Sequence, residues 1–402
     1  MDKRGRVVVR GIAGVAIIVV ALVVVSDLRR SPTALDYDPQ LGAHRPGAIV
    51  SPAATSGAQA PSLPTPSGLD DSFGLIATDG RTLILRSETS PQPRATINGA
   101  YMAASVDGTS IAFWRTGPGG DELVVVTAVH PEQPHVAYTV PAGQQGATIV
   151  WSNDGTGLLV AVIRVVATPG GGGEPGPGSG LKMSTLLTVD LRASNVVALA
   201  TLSDGRYYMP VGWDRSAELA AAAESEVTSG GPVAPLMAAY VTFETGSTAG
   251  TARLPVSDGV GIGVSGSPEG KYVYGLARGV VRVWPLADYR SGTTFTPSAP
   301  TSGKLLWRPG ESQIVWLSGA RLEAFDVAAK REITIYQGIP AVSGTSQDIA
   351  LFRYDGSAVL IGPTSISIFG TPVPQLLLLS TNTAVAFDPG GAFGFGPSVR
   401  LR

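Results

Sequence analysis

From Phe73 onward, short apolar runs of about four to seven residues alternate with clusters of Gly, Asp, Asn, Ser and Pro. "TLILR", "SIAFWR", "ELVVVTAV", "HVAYTV", "TIVWS", "LLVAVI", "TLLTVDL" and "NVVALATL" are examples, rich in Val, Ile, Thr and aromatic residues. Such runs predict strands, because branched and aromatic side chains pack well on a pleated surface. One segment competes: "SAELAAAAESEV", Ser216 to Val227, suits either a helical insert or an alanine-rich strand and loop.

The strand pattern repeats. "MAASVDGTSIAFW" from Met102, "TIVWSNDGTGLLVAV" from Thr148, "MPVGWDRSAELAAA" from Met209, "IGVSGSPEGKYVYGL" from Ile262 and "KLLWRPGESQIVWL" from Lys304 share a strand, a turn and a second strand. "PAVSGTSQDIALF" from Pro340 reads as a degraded sixth copy. The turns fall at Gly108, Gly155, Arg215, Gly270, Gly310 and Gln347. Their spacing is roughly 35–60 residues, stretched where "PGGGGEPGPGSG" and the alanine-rich segment intervene. Two further strand candidates follow each turn, as "RLEAFDV" and "EITIY" do after "IVWL". Four strands in about 45 residues is the dimension of a propeller blade.

The pattern apolar-x-W-S-x-D-G-x-x-I-A-F resembles the TolB-like, WD-repeat-like β-propeller blades. "VWSNDGTGLLVAV" and "ASVDGTSIAFW" are the best copies, and "TLLTVDL" and "RLEAFDV" resemble the third strand. The resemblance covers about residues 73–402, and only two copies keep the full turn. The Gly-His and Trp-Asp dipeptides of WD repeats are missing, apart from Trp213-Asp214. It implies a fold that hosts many unrelated functions.

Before the six units stands "FGLIATDGRTLILRSETSPQPRATI", the later strands of a blade without its start. After them "PQLLLLSTNTAVAFDPGGAFGFG" looks like the start of a blade without its end. The two chain ends are therefore expected to share one blade, leaving no exposed edge at the closure. The expected fold is an all-β, seven-bladed β-propeller, with six or eight blades left open by the phasing of the last residues.

The N-terminus differs. Lys3, Arg4, Arg6 and Arg10 precede an uncharged run from Gly11 to Ser26, with Arg29 and Arg30 beyond it. With Val7 to Val9 the run reaches the length of about 20 residues that a membrane span needs. The expectation is a single transmembrane signal anchor within residues 1–30, N-terminus cytoplasmic and the remainder extracytoplasmic. A cleaved signal peptide is the competing reading; "VVVSD" lacks a good small-x-small site. Residues 31–70, with "SPAATSGAQAPSLPTPSG", read as a disordered Pro/Ala/Ser linker, and residues 71–402 as the propeller.

Composition narrows the functional classes. The chain has 402 residues, a net charge of −2 and no cysteine. There is no field for nucleic acid, no disulfide, no thiol chemistry and no Cys-linked lipid anchor. Three histidines leave little material for a metal site or a general base. No metal ligands, cofactor or catalytic residues are assigned. "GIGVSG", Gly261 to Gly266, has dinucleotide-fingerprint spacing but precedes a turn and a strand instead of a helix. His130, Glu132 and His135 read as an ordinary hairpin loop.

The Asp-Gly turns read as structural, since Asp accepts backbone amides and Gly supplies positive φ. Trp151, Trp213 and Trp307 recur at one blade position, which predicts packing between blades. Recognition is expected instead from non-repeating residues in connections: Arg115 in "WRTGPGGDE", and Arg206, Tyr207 and Tyr208 in "SDGRYYMP". The expected role is a binding or scaffolding module for a protein, peptide or envelope polymer. The alternative is a propeller-type hydrolase or lyase with its site in the central funnel.

Overall fold

In the computed structural model, residues 69–402 are described except 79–81, 91, 166–180, 204, 227–235, 245–251, 255–260, 278, 289–290, 299–303, 341–346, 364–373 and 387–393. The expected membrane anchor, the Pro/Ala/Ser linker and the "PGGGGEPGPGSG" insertion lie outside the described residues. Among the described residues no helix is long and apolar enough to cross a membrane.

The chain opens with β1 (Phe73–Thr78), β2 (Thr82–Ser87) and β3 (Ala95–Asn98). Then come β4 (Ala100–Ala104), β5 (Ser110–Gly117), β6 (Gly120–Thr127) and β7 (His135–Thr139). The next group is β8 (Gln145–Trp151), β9 (Gly157–Val165), β10 (Leu181–Asp190) and β11 (Asn195–Leu202). It is followed by β12 (Arg206–Asp214), β13 (Leu219–Glu226), β14 (Leu236–Glu244) and β15 (Ala252–Leu254). Next are β16 (Gly261–Gly266), β17 (Tyr272–Ala277), β18 (Val280–Pro285) and β19 (Thr293–Phe295). After these stand β20 (Leu306–Arg308), β21 (Gln313–Ser318), β22 (Arg321–Asp326) and β23 (Arg331–Gln337). The last strands are β24 (Gln347–Phe352), β25 (Ala358–Pro363), β26 (Gln375–Leu378), β27 (Thr383–Ala386) and β28 (Gly394–Arg400).

Among the described residues these strands form four-stranded antiparallel sheets in sequence order, with one exception. The exception runs β28-β1-β2-β3 and takes its first strand from the C-terminal end. First strands of neighbouring sheets touch in turn: β4, β8, β12, β16, β20, β24 and β28, which closes onto β4. This arrangement is a β-propeller, with first strands innermost.

The core lies between the sheets. One apolar cluster joins Trp114 and Leu123 to Ile149 and Leu158 of the next sheet, and another joins Leu159 and Leu186 to Tyr208 and Ala220. At the closure, Leu75 packs with Leu351, Leu360 and Leu376, while Val399 and Leu401 join Ile111 and Phe113 on the other side. Each sheet is thus covered on both faces. That is why the strands read as apolar runs more than as strict alternation.

This double burial also decides the alanine-rich segment. Ala220 to Ala223 are wholly buried in β13, paired with Trp213, Gly212, Pro210 and Met209 of β12 across a register shift between Pro210 and Gly212. Small side chains let large neighbours on both faces approach, and that packing overrides the helix propensity of alanine.

Two phasing expectations are corrected. The sixth turn is at Gly356, with φ 70°, not at Gln347, which begins β24. "SGTSQD" imitates a turn in composition, but the Asp-Gly turn follows the strand in "RYDG". Likewise "PQLLLLSTNTAVAF" does not begin the shared sheet; it supplies β26 and β27 of the preceding one. Only β28 crosses over to pair with β1.

The interface between β12 and β16 is tight at one glycine. A Cβ on Gly266 would lie 1.8 Å from the Val211 carbonyl oxygen, so the two inner strands must separate to admit it. Gly266→Ala is expected to lower stability by about 1–3 kcal/mol, read from denaturant unfolding.

Candidate functional site

In antiparallel sheets of this order, first-to-second and third-to-fourth connections share one end of the ring. Second-to-third and fourth-to-first connections share the other. The two ends differ chemically.

At the first-to-second end the turns are built alike. Ser105 Oγ donates to Asp107 at 2.6 Å, and Asp107 accepts the Thr109 amide at 3.1 Å. Ser152, Asp154 and Thr156 repeat this at 2.6 and 3.0 Å. Gly108 and Gly155 take φ 70° and 67°, a region open to glycine without steric cost. Burial opposes ionisation of Asp107 and Asp154, but the Ser, Thr and backbone donors outweigh it and hold both carboxyls below the usual range.

These turns are also tied to their neighbours. Asn153 N–H donates to the Trp213 carbonyl at 2.9 Å, and the Arg215 amide donates to Asn153 Oδ1 at 3.0 Å. Arg308 Nε donates to the Gly356 carbonyl at 3.0 Å, and Arg400 N–H to the Gly108 carbonyl at 2.7 Å. Trp151 and Trp307 donate from Nε1 to the Ala103 and Ser265 carbonyls of the preceding inner strands. The expected packing role of these two tryptophans is thereby met. At the closure, Arg353 grips Glu88 through two nitrogens, both side chains buried, with Phe73 4.2 Å under the guanidinium. Polar groups at this end are thus largely spent on holding sheet to sheet.

The depressed Asp154 carboxyl makes stability depend on pH. A lowered folded-state pKa stabilises above the ordinary value of 3.8 and ceases to do so as pH falls through the folded value. The melting advantage of wild type over Asp154→Asn is therefore expected at neutral pH and vanishes in strong acid. A thermal-melt series in pH checks it.

The opposite end holds the sequence-predicted residues, though on strands and not in connections. Arg115 lies in β5, because its hairpin is tighter than expected: β5 and β6 pair down to Gly117 and Gly120. Its guanidinium meets Glu122 across the strands at 2.8 Å. Arg206, Tyr207 and Tyr208 belong to β12, since the connection ends at Gly205, with φ 87°. Both tyrosines are buried, so they pack in the core. Arg206, still partly exposed, pairs with the wholly buried Glu224 of β13.

Sequence reasoning missed further polar groups here. Asp121, at the start of the third strand in its sheet, accepts the Gly146 amide at 3.0 Å; burial raises its pKa against that bond. Asp348 accepts the Lys304 amide at 3.1 Å, and burial raises it likewise. Asp121 and Asp348 are thus held up by burial, while Asp107 and Asp154 at the other end are held down by donors. β9, β13 and β25 end, and β10, β14 and β26 begin, at this end.

"GIGVSG" lies on β16, an inner strand. His130 meets Glu132 at 3.3 Å in an exposed connection, and His135 begins the outer strand β7. Among the described residues no group of three or more His, Cys, Asp or Glu is placed to hold a metal.

No family model matches the sequence. No curated protein matches it either. Solved structures do resemble the fold. An oligogalacturonate lyase in complex with manganese is 15% identical, with a TM-score of 0.49 over 77% of this chain and 90% of that one. Apo AztD from Citrobacter koseri is 11% identical, with a TM-score of 0.47 over 81% and 97%. The β-propeller domain of Myceliophteria thermophila Cps50 (Swd1) is 13% identical, with a TM-score of 0.48 over 76% and 90%. Likeness at such identities concerns fold alone.

Proposed function

We propose that this protein is a membrane-anchored, extracytoplasmic binding module: a seven-bladed propeller, one blade per sheet, displaying a recognition face on a tether. The recognition face is the end that carries the second-to-third and fourth-to-first connections, and its partner is a protein, a peptide or an envelope polymer. The observation that carries this reading is the contrast between the ends. At one, polar groups link turn to turn around the ring. At the other, Arg115 and Arg206 remain partly exposed beside connections that differ from sheet to sheet.

The anchor rests on the sequence of residues 1–30, where basic residues precede an uncharged span. A reporter fused after Arg402 is expected to be active only outside the cytoplasm; activity inside would reverse the topology. For the recognition face, a photo-crosslinking residue replaces Pro118 in the β5–β6 hairpin, and another replaces the exposed Glu311 at the tied end. Crosslinks to one reproducible partner from position 118 but not 311 are expected. The reverse pattern would refute the assignment of the face. The hydrolase or lyase alternative predicts turnover of an envelope polymer that Arg206→Ala abolishes.

A further inference from the structure

We propose a second interaction surface, independent of the recognition face: the open edge of β11, which takes an extended segment of a partner protein as an additional strand and seats one Lys or Arg of that segment in an adjoining cleft.

The outer strands differ in how they are guarded. β3 and β27 have four residues each, and β15 and β19 have three. β23 has seven, but carries Arg331 and Glu332, and Glu332 accepts the Ser298 amide at 2.9 Å. β11 has eight residues, NVVALATL, with neither charge nor proline. It pairs with β10 on one side and ends its sheet on the other. Such an edge presents a row of unpaired amides and carbonyls, which proteins ordinarily shorten, charge or cover. Left long and apolar, it is a template for strand addition.

Beside it lies a cleft of about 210 Å³ between this sheet and the next. Val197, 42% exposed, forms one wall, and Trp213 and Arg215 line the cleft from the neighbouring sheet. Arg215 is already engaged: it bonds Asp190, donates to Thr156 Oγ1 at 2.7 Å and lies over the Trp213 ring at 5.7 Å. Glu218 is not. Its backbone takes φ 53°, its N–H donates a hydrogen bond to the Arg215 carbonyl, and its carboxylate has no hydrogen bond or ion pair among the described residues.

Of the charged residues lining the cleft, Asp190 and Arg215 offset each other as an ion pair and Glu218 is left over, so the site favours a cation. Val197 can cover the methylenes of a long side chain whose charged end reaches Glu218.

The test uses the full-length chain and three fluorescein-labelled hexapeptides, Thr-Val-X-Val-Thr-Val, with Lys, Ala or Glu at X, read by fluorescence anisotropy. The Lys peptide is expected to bind most tightly and the Glu peptide least. Glu218→Gln weakens the Lys peptide about fivefold and flattens its salt dependence. Val197→Lys weakens it more than about tenfold by placing a like charge on the edge. Val280→Lys, at an exposed valine of β18, changes nothing. All three variants keep the wild-type melting curve, which separates lost binding from lost fold. The proposal is overturned by equal affinity for the Lys and Glu peptides, by no saturable binding of any of them, or by indifference to Val197→Lys. A concentration-dependent dimer that Val197→Lys dissolves would also overturn it, assigning the edge to a second copy.

Discussion

Ending the chain after residue 393 is expected to abolish cooperative folding. The truncation removes β28 and with it the first strand of the sheet that joins the two chain ends. Val399 and Leu401, both buried, leave a cluster that includes Ile76, Leu83, Ile111 and Phe113. Burial of two such side chains is worth about 3–6 kcal/mol together, before the backbone bonds between β28 and β1 are considered. The sum approaches the whole stability of an ordinary domain, about 5–15 kcal/mol. The truncation also exposes the edge of β1 and an open ring, both prone to association. Far-UV spectra and size-exclusion chromatography should show loss of the sharp melt together with aggregation. A synthetic peptide of residues 394–402 added in trans should restore part of the transition. A truncated chain that melts like the intact one would mean that β28 does not close the ring.

The second large effect is at the polar latch of the same closure. Arg353→Ala is expected to cost about 3–5 kcal/mol, because it strands the buried Glu88 carboxylate without its partner. Replacing both residues with apolar ones, Arg353→Met with Glu88→Leu, should cost less than either single change to alanine, since no buried charge is left. The pH dependence has a defined sign. Burial raises the Glu88 carboxyl, while Arg353 pulls against that rise. Without Arg353 the rise is unopposed and the carboxyl takes up a proton more readily in the folded chain. A group with a raised folded pKa favours the folded state as pH falls, so the deficit of Arg353→Ala should shrink toward acid. Urea unfolding at neutral and mildly acidic pH measures both effects. A deficit that grew toward acid would contradict the buried ion pair.

The N-terminal fragment lacking a first strand was sufficient to predict a sheet shared by both chain ends, because an unpaired edge there would be costly. The Asp-Gly turns were equally legible: a Ser, an Asp and a Gly within four residues specify local hydrogen bonds that need no tertiary partner. Where such chemistry stood in the wrong place, as in "SGTSQD", composition pointed to a turn before β24 and the real one followed it. The alanine-rich segment was undecided because both of its faces are covered, which removes the periodicity that separates helix from strand.

The site was less legible than the fold. Arg115 and Arg206 fall at the same end of the ring, but their partners Glu122 and Glu224 could not be assigned without strand register. The Arg353–Glu88 pair is out of reach for any local reading, its members standing 265 positions apart in the sequence. Tyr207 and Tyr208 follow a turn-forming stretch, and their burial depends on sheets built from distant sequence.

Ring closure by the chain's own ends is the claim on which the two faces and the latch depend. The absence of cysteine allows a clean test, since an engineered pair has no competitor. Gly74 and Val399 are register partners on β1 and β28, and a Cβ at Gly74 would lie 3.0 Å from Val399 Cγ2. With Gly74→Cys and Val399→Cys together, mild oxidation should give a single intramolecular disulfide, seen as a faster-migrating band that reductant removes. A double variant that keeps both thiols free while folded, or that links only between chains, would contradict the closure.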